Sequence, residues 1–264
     1  MRRRWVLSTA RELAIAAESR IPRVCRGQLL LFDQQRLPTL SSQQSYKLLL
    51  IVFLLEFVVR RLTNAAALRW GFARDMWWPL VQMAMLLVLA GGLVVGLARV
   101  RLSELGLYGW RRWSKTEKHF FPQIVAITLI VFSFAVSGEI KAAWRSDNLW
   151  QISCFIFVPQ MVWGFYQEFL YRGVVQTVLV WRWGPLAGIL VSNLVFTFGP
   201  LHAYHFWLAR GNVAHLGIFA GIFAIGLYFA LLYWRSGNLW IVGILHGLGD
   251  FFIDGLAMVS RLAL

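Results

Sequence analysis

Apolar residues are gathered in long stretches along this chain, and short polar breaks separate each stretch from the next. A helix of about 20 residues crosses a bilayer, and most of these stretches approach that length. Seven are predicted, at Tyr46–Leu62, Met76–Ala98, Phe120–Ser137, Leu149–Trp181, Pro185–His202, Val213–Trp234 and Leu239–Leu262. The pattern predicts an all-α, polytopic transmembrane helical bundle of about seven or eight spans.

Two of the predicted spans are irregular. Glu56 interrupts the first one, and the basic residues after it are expected to end the helix early. The stretch 149–181 is too long for one straight crossing. Because a proline inside a helix removes a hydrogen-bond donor and clashes with the preceding turn, we expect a break near Pro159 and a second helix that carries Glu168.

The composition agrees with a membrane protein, because 59% of the residues are hydrophobic and 14% are charged. A soluble domain has about 25% charged residues. Lys and Arg number 26 against 12 for Asp and Glu, which gives a net charge of +14. Since arginines flank the apolar stretches, as anionic headgroups favour, this excess predicts contact with membrane lipid and not with nucleic acid.

The chain is predicted to have two parts. Residues 1–45 are a basic, partly amphipathic N-terminal segment on the membrane surface, and a flexible basic tail is the alternative. Residues 46–264 form one transmembrane domain. The basic connection 99–118 and the N-terminus are predicted to face the cytoplasm. Cys25 and Cys154 offer neither a disulfide framework nor zinc-ligand spacing.

Three apolar stretches carry ionisable residues three or four positions apart, which is about one helical turn. The pairs are Glu168 with Arg172, His202 with His205, and His246 with Asp250. An ionisable side chain at the centre of a membrane helix costs roughly 2.5 to 3.5 kcal/mol, so such groups normally turn inward. Three helices that each hide a polar face predict one shared, buried site.

Each pair has a chemical and a structural interpretation. Arg172 can hold Glu168 ionised and oriented, or the two can form an ion pair that only joins helices. His246 and Asp250 can form a stabilising pair, or a hydrogen bond that merely satisfies two buried groups. Asp254 follows one turn later and is either a further member of the polar site or a residue at the boundary between membrane and water.

The order of these motifs resembles the CPBP family of membrane proteases, which includes CAAX prenyl-protein endopeptidases and bacteriocin-processing (Abi) or immunity proteins. The motifs are QEFLYRG at 167–173, FGPLH at 198–202 and HGLGD at 246–250, and the resemblance covers roughly residues 150–255. It implies a glutamic-type intramembrane endopeptidase that needs no cofactor. Its substrates would be membrane-associated peptides or lipidated protein tails.

The resemblance also implies a role for each position. Glu168 corresponds to the second Glu of the leading motif, Arg172 to its Arg, His202 to the water-activating His, and His246 and Asp250 to the pair that supports the oxyanion. The chain would be a multi-pass protein, in the bacterial inner membrane.

Gln167 stands where the family pattern has its first Glu. An amide cannot act as a general base at neutral pH, so Gln167 can only position water or substrate. The carboxylate could come from Glu168 or from Asp250, with His202 as the main base. The protein could instead bind a partner without cutting it, or the Gln could be a substitution that traps substrate. We favour a working or recently working protease, because the other site residues are present.

Rival functions remain open. A catalytically degenerate membrane protein, such as a peptide immunity factor or processing partner, is distinguished by Gln167→Glu, which should raise cleavage only if the site is merely crippled. A zinc protease is possible in principle, since two His and a carboxylate can bind zinc, but the pattern His-Glu-x-x-His is absent. A transporter would predict inverted repeats, and none is visible.

Overall fold

The computed structural model describes residues 39–75, 77–145, 149–203 and 213–262. Residues 1–38, which are most of the predicted N-terminal segment, lie outside this part of the chain, as does His205. The described residues form helices joined by short connections, with no strand among them. The all-α prediction is therefore confirmed.

Eight long helices are found in the described ranges, besides three short 3₁₀ turns at Phe72–Arg74, Leu102–Leu105 and Trp110–Arg112. They are α1 (42–70), α2 (Trp78–Gly96), α3 (Lys115–Ala135), α4 (Ser137–Arg145), α5 (149–183), α6 (Pro185–Phe198), α7 (Val213–Ser236) and α8 (239–262). Wider π-helical turns lie inside three of them, at Leu54–Val59 in α1, Ser153–Phe157 and Phe169–Gln176 in α5, and Phe251–Gly255 in α8. Every predicted apolar stretch thus contains a helix.

Polar side chains fix where several helices begin. The Ser41 hydroxyl accepts a hydrogen bond from the Gln44 backbone, and the Gln44 side chain caps back on Ser41. Ser114 and Glu117 form the same reciprocal arrangement before α3. The Asn238 side chain caps α8. Each cap satisfies backbone N–H groups that the first turn of a helix leaves without partners.

Two of the predicted interruptions are wrong. α1 continues to Trp70, because Glu56 is paired inside the bundle and does not end the helix. The backbone also stays helical through Pro159. The π-helical turn Ser153–Phe157 lies just before this proline, and a wider turn relieves the clash between the ring and the carbonyl groups that precede it.

Helix α5 occupies the centre of the bundle, and residues 166–180 are all buried. It packs along α8, with α1, α2 and α6 around it. A Cβ atom built on Gly164 of α5 would lie 2.4 Å from the backbone nitrogen of Gly247 in α8. Only a residue without a side chain permits this approach, and it is what brings the polar motifs of α5 and α8 face to face.

The connection between α2 and α3 is tied to the start of α8. The backbone N–H of Leu239 donates to the Gly106 carbonyl oxygen at 3.1 Å, and Asn238 Nδ2 donates to Glu117 Oε1 at 2.9 Å. Gly106 has φ of +88°, and a Cβ atom there would lie 2.5 Å from the Gly237 carbonyl oxygen. Glycine is required at this position for both reasons.

Four helices in the described part of the chain are long and apolar enough to cross a membrane. They are Trp78–Gly96, Lys115–Ala135, Gly217–Ser236 and Leu239–Val259. Their outward surface is apolar too, since Val88 is 75% exposed and Phe134 is 82% exposed. A surface of this kind, on helices that satisfy their own backbone hydrogen bonds, is suited to lipid. The chain is an integral membrane protein.

Candidate active site

Helix α5 supplies three polar side chains of the site, Gln167, Glu168 and Arg172. Glu168 and Arg172 lie one turn apart, with Arg172 Nε 3.3 Å from Glu168 Oε2, and both side chains are completely buried. Arg172 Nη2 also donates to the backbone carbonyl oxygen of Gly226 in α7, at 2.9 Å. The arginine therefore holds the Glu168 carboxylate and fastens α5 to α7.

Helix α8 places the His246 imidazole between two carboxylates. Its Nδ1 lies 2.7 Å from Glu168 Oε1, and its Nε2 lies 3.5 Å from Asp250 Oδ1. A carboxylate oxygen that is ionised can only accept, so the Nδ1 proton points to Glu168. The ring is fixed in orientation by this contact, with its other nitrogen directed toward Asp250.

Gln167 and Asp250 complete the polar cluster. Gln167 Nε2 donates to Asp250 Oδ2 at 3.4 Å. The other amide atom, Oε1, is buried and has no hydrogen-bond partner among the described residues. The Asp250 side chain is 19% exposed, whereas Glu168 is not exposed at all. Asp250 is thus the more exposed carboxylate of the cluster.

His202 lies in a turn after α6 and is half-buried. The predicted span reached His202, but the helix ends at Phe198, because the proline at position 200 cannot continue it. His202 Nδ1 is 2.8 Å from the Phe196 carbonyl oxygen. Since a carbonyl only accepts, Nδ1 carries the proton, and the lone pair of the neutral ring lies on Nε2.

Phe196 connects His202 to the rest of the site. Its ring centroid lies 4.8 Å from that of His202 and 5.9 Å from that of His246, in edge-to-face geometry. The Arg172 guanidinium stacks over the same ring, at 4.5 Å from the centroid. Phe229 stacks on the other histidine, with 5.1 Å between the His246 and Phe229 centroids. These aromatic rings enclose the polar cluster in apolar walls.

The structure therefore brings most of the predicted residues into direct contact. Gln167, Glu168, Arg172, His246 and Asp250 form one continuous set of contacts, and His202 is linked to it through Phe196. Sequence reasoning missed Phe196 and Phe229. Both lie in apolar stretches that contain several other phenylalanines, so only the fold distinguishes them.

A cleft of about 540 Å³ lies beside α5 and the end of α8. Met83, Trp163 and Met258 contribute to its apolar wall, and Gln160 and Asp254 add polar atoms. Asp254 is itself exposed. This residue follows Asp250 by about one turn, and none of the six predicted site residues lines the cleft itself.

Within the described ranges, no group of three or more His, Cys, Asp and Glu side chains is arranged to hold a metal ion. The polar contacts that are present join acids to bases instead, with Glu168 and Asp250 on either side of His246. An arrangement of this kind suits proton transfer and charge stabilisation.

A known protein family matches the segment that contains the site. Residues 148–252 match the model of the family described as Type II CAAX prenyl endopeptidase Rce1-like. No curated protein and no solved structure matches the chain. The matched segment runs from the start of α5 into the π-helical turn of α8 and includes all six predicted site residues. Residues 148–252 are therefore similar to the Rce1-like family of type II CAAX prenyl endopeptidases, in agreement with the resemblance to the CPBP family that the motifs carry.

Proposed function

We propose that the protein is an intramembrane endopeptidase that hydrolyses a peptide bond in a membrane-associated or lipidated protein or peptide. The single observation that carries this proposal is the contact between Gln167 and Asp250. An amide occupies the position where the resemblance implies a Glu, and a partly exposed carboxylate lies opposite it, on α8.

Asp250 is better placed than Glu168 to act on water. Both oxygens of Glu168 are engaged in contacts, one with His246 and the other with Arg172, and the side chain is inaccessible. Glu168 is therefore a positioning residue that orients His246. Asp250 has the exposure that a group in contact with a nucleophilic water requires.

His202 is the second base in this mechanism. Its Nε2 lone pair takes a proton from water, assisted by the Asp250 carboxylate, and the water oxygen attacks the peptide carbonyl carbon. The resulting oxyanion accepts hydrogen bonds from Gln167 Nε2 and from Nε2 of His246 in its imidazolium form, which the two flanking carboxylates favour. When the C–N bond breaks, His202 returns the proton to the leaving amine, so that one water is consumed and a carboxylic acid and an amine are produced.

The cleft beside α5 is the proposed route for the substrate. Its wall has apolar side chains such as Met83 and Met258 for a lipidated or apolar segment, and Gln160 offers hydrogen bonds to a peptide backbone. Such a substrate would pass laterally between helices from the membrane. We place the protein in the bacterial inner membrane, with the N-terminus and the connection 99–118 on the cytoplasmic side.

The decisive experiment measures cleavage by the purified full-length protein in liposomes. The substrates are a fluorogenic farnesylated peptide ending in a CAAX sequence and the same peptide without the lipid. We expect cleavage that His202→Ala and Asp250→Asn each reduce by about 100-fold or more. His119→Ala is the matched control, since His119 is an exposed histidine on α3. Equal rates in wild type and both site variants would refute the proposal.

A non-catalytic role is the second candidate, and Gln167 is the observation that favours it. A protein that only binds its partner would retain the farnesylated peptide without releasing a product. Equilibrium binding of that peptide, combined with no turnover in the wild type or in the Gln167→Glu variant, would support this candidate against the protease.

A further inference from the structure

We infer that a buried ion pair in α1, Glu56 with Arg60, positions the turn that carries His202. This inference rests on the proposed role of His202 in the site. The pair lies outside residues 148–252, so the match to the protease family assigns nothing to it. The α1 helix would then help to set the position of His202 in the site.

Glu56 is a carboxylate in the interior of the bundle, with 1% of its surface exposed. Its Oε1 accepts a hydrogen bond from the Tyr166 hydroxyl at 2.8 Å, and its Oε2 lies 3.1 Å from Arg60 Nη2. Tyr166 is fully buried and directly precedes Gln167 in α5. One carboxylate thus joins α1 to the part of α5 that enters the site.

Arg60 extends this connection to the third motif-bearing segment. Its Nη2 donates to the Pro200 carbonyl oxygen at 3.0 Å, across 140 positions of sequence. Pro200 lies two residues before His202, and the His202 backbone N–H donates to the Gly199 carbonyl oxygen at 3.2 Å. The segment from 199 to 202 is a compact turn. A hydrogen bond that fixes the Pro200 carbonyl group therefore also fixes the backbone that carries the His202 imidazole.

These contacts form a single chain from Tyr166 through Glu56 and Arg60 to Pro200. They set the separation between α5 and the His202 turn, which share no backbone hydrogen bond in the part of the chain that the structure describes. Hydrogen bonds from a charged donor are stronger than neutral ones, and a low local dielectric strengthens them further. A loop held in this way keeps its geometry better than one fixed by apolar packing alone.

The π-helical turn Leu54–Val59 supports a specific purpose for the pair. Such turns are uncommon and often occur at functional sites, and this one contains Glu56. Buried ion pairs contribute little net stability compared with apolar residues of the same size, because desolvation of the charges is expensive. A role in positioning explains the arrangement better than a role in stability.

The test compares Arg60→Gln, Arg60→Lys and the control Arg61→Gln in the full-length protein. Arg61 is the adjacent arginine and is exposed. We expect Arg60→Gln to lower kcat by about ten- to hundredfold with little change in KM, because the bases are misplaced while the substrate cleft is intact. Arg60→Lys should recover part of the loss, and Arg61→Gln should resemble the wild type.

Hydrogen–deuterium exchange of peptides from 196 to 203 gives a readout that does not depend on turnover. Arg60→Gln should raise exchange there by about tenfold, and Arg61→Gln should not. If the wild type cleaves no peptide, the proposed function fails, yet exchange still decides whether the pair holds the turn. Unchanged exchange in Arg60→Gln, or an equal loss of kcat in Arg61→Gln, would overturn the inference. Should Arg60→Gln not fold, Arg60→Lys is judged by the same exchange criterion.

Discussion

Gln167 and Asp250 lie on facing helices, with the amide nitrogen of one 3.4 Å from a carboxylate oxygen of the other. The amide is on α5 and the acid is on α8. The resemblance to the CPBP family implies a Glu at this position of α5. In the proposed mechanism, the carboxylate that acts on water lies on α8 instead, with Asp250 Oδ1 3.5 Å from His246 Nε2.

An exchange of the two side chains tests this arrangement. Asp250→Asn leaves two amides and should lower kcat by about 100-fold or more, since the accessible carboxylate is lost. The double variant Gln167→Glu with Asp250→Asn puts the acid on α5 and should recover much of that loss. Initial rates with the farnesylated peptide measure both effects.

Gln167→Glu alone is the informative single variant. It places two carboxylates against each other, so their repulsion opposes ionisation and we expect no gain in rate. A sharp increase would show instead that the wild-type site lacks a working acid, and Asp250 would lose its assigned role. Failure of the double variant to exceed Asp250→Asn would show that a carboxylate on α5 cannot replace the one on α8.

Phe196 should matter for catalysis because its ring contacts both histidines. Phe196→Leu removes edge-to-face contacts that are worth about 1 kcal/mol each, and it frees the His202 ring to rotate. We expect a loss of kcat of about tenfold and a modest fall in the unfolding temperature. Steady-state kinetics and thermal unfolding in detergent are the measurements.

The control for this variant is Phe134→Leu on α3, where the phenylalanine is 82% exposed. Neither kcat nor stability should change there. A Phe196→Leu enzyme with full activity would mean that the ring fills space without orienting the histidines.

Much of the site could be predicted from sequence, since ionisable residues one turn apart in apolar helices must face inward. The contact of Glu168 with Arg172 follows from this spacing alone. The contact of Glu56 with Tyr166 could not be predicted from spacing, because the two residues lie 110 positions apart and no local pattern links them. The predicted break at Pro159 failed for a related reason: a wider turn accommodates the ring, and sequence does not reveal where helices widen.

Gly164 should tolerate no side chain. A Cβ atom there would lie 2.4 Å from the Gly247 backbone nitrogen. Gly164 lies in α5 and Gly247 in α8, so neither backbone can move away without distorting its helix. Gly164→Ala should destabilise the protein by about 1 to 3 kcal/mol and should also separate the polar groups of α5 and α8. Thermal unfolding and peptide cleavage measure the two effects.

Gly91→Ala on α2 is the matched control, because nothing lies within 4 Å of a Cβ atom at that position. Alanine favours a helix over glycine by about 1 kcal/mol, so this variant should be as stable as the wild type or more so. Equal behaviour of Gly164→Ala and Gly91→Ala would contradict the close approach of the two helices.

Chelation separates the acid–base mechanism from the zinc alternative. Turnover should be unchanged after prolonged incubation with EDTA or 1,10-phenanthroline, because the proposed water is activated by His202 and Asp250. Activity that is lost on chelation and restored by added zinc would establish a metalloprotease instead. The comparison uses the same liposomes and the same farnesylated peptide.

The attachment of Gly106 to the start of α8 limits how this protein can open. Backbone and side-chain hydrogen bonds hold the first residues of α8 at Asn238 and Leu239, and they oppose sliding of the helix along its axis. We therefore expect a motion that admits a peptide to be a swing of the opposite end, beyond the π-helical turn Phe251–Gly255. Opening of the cleft would then leave His246 at a constant height beside Glu168.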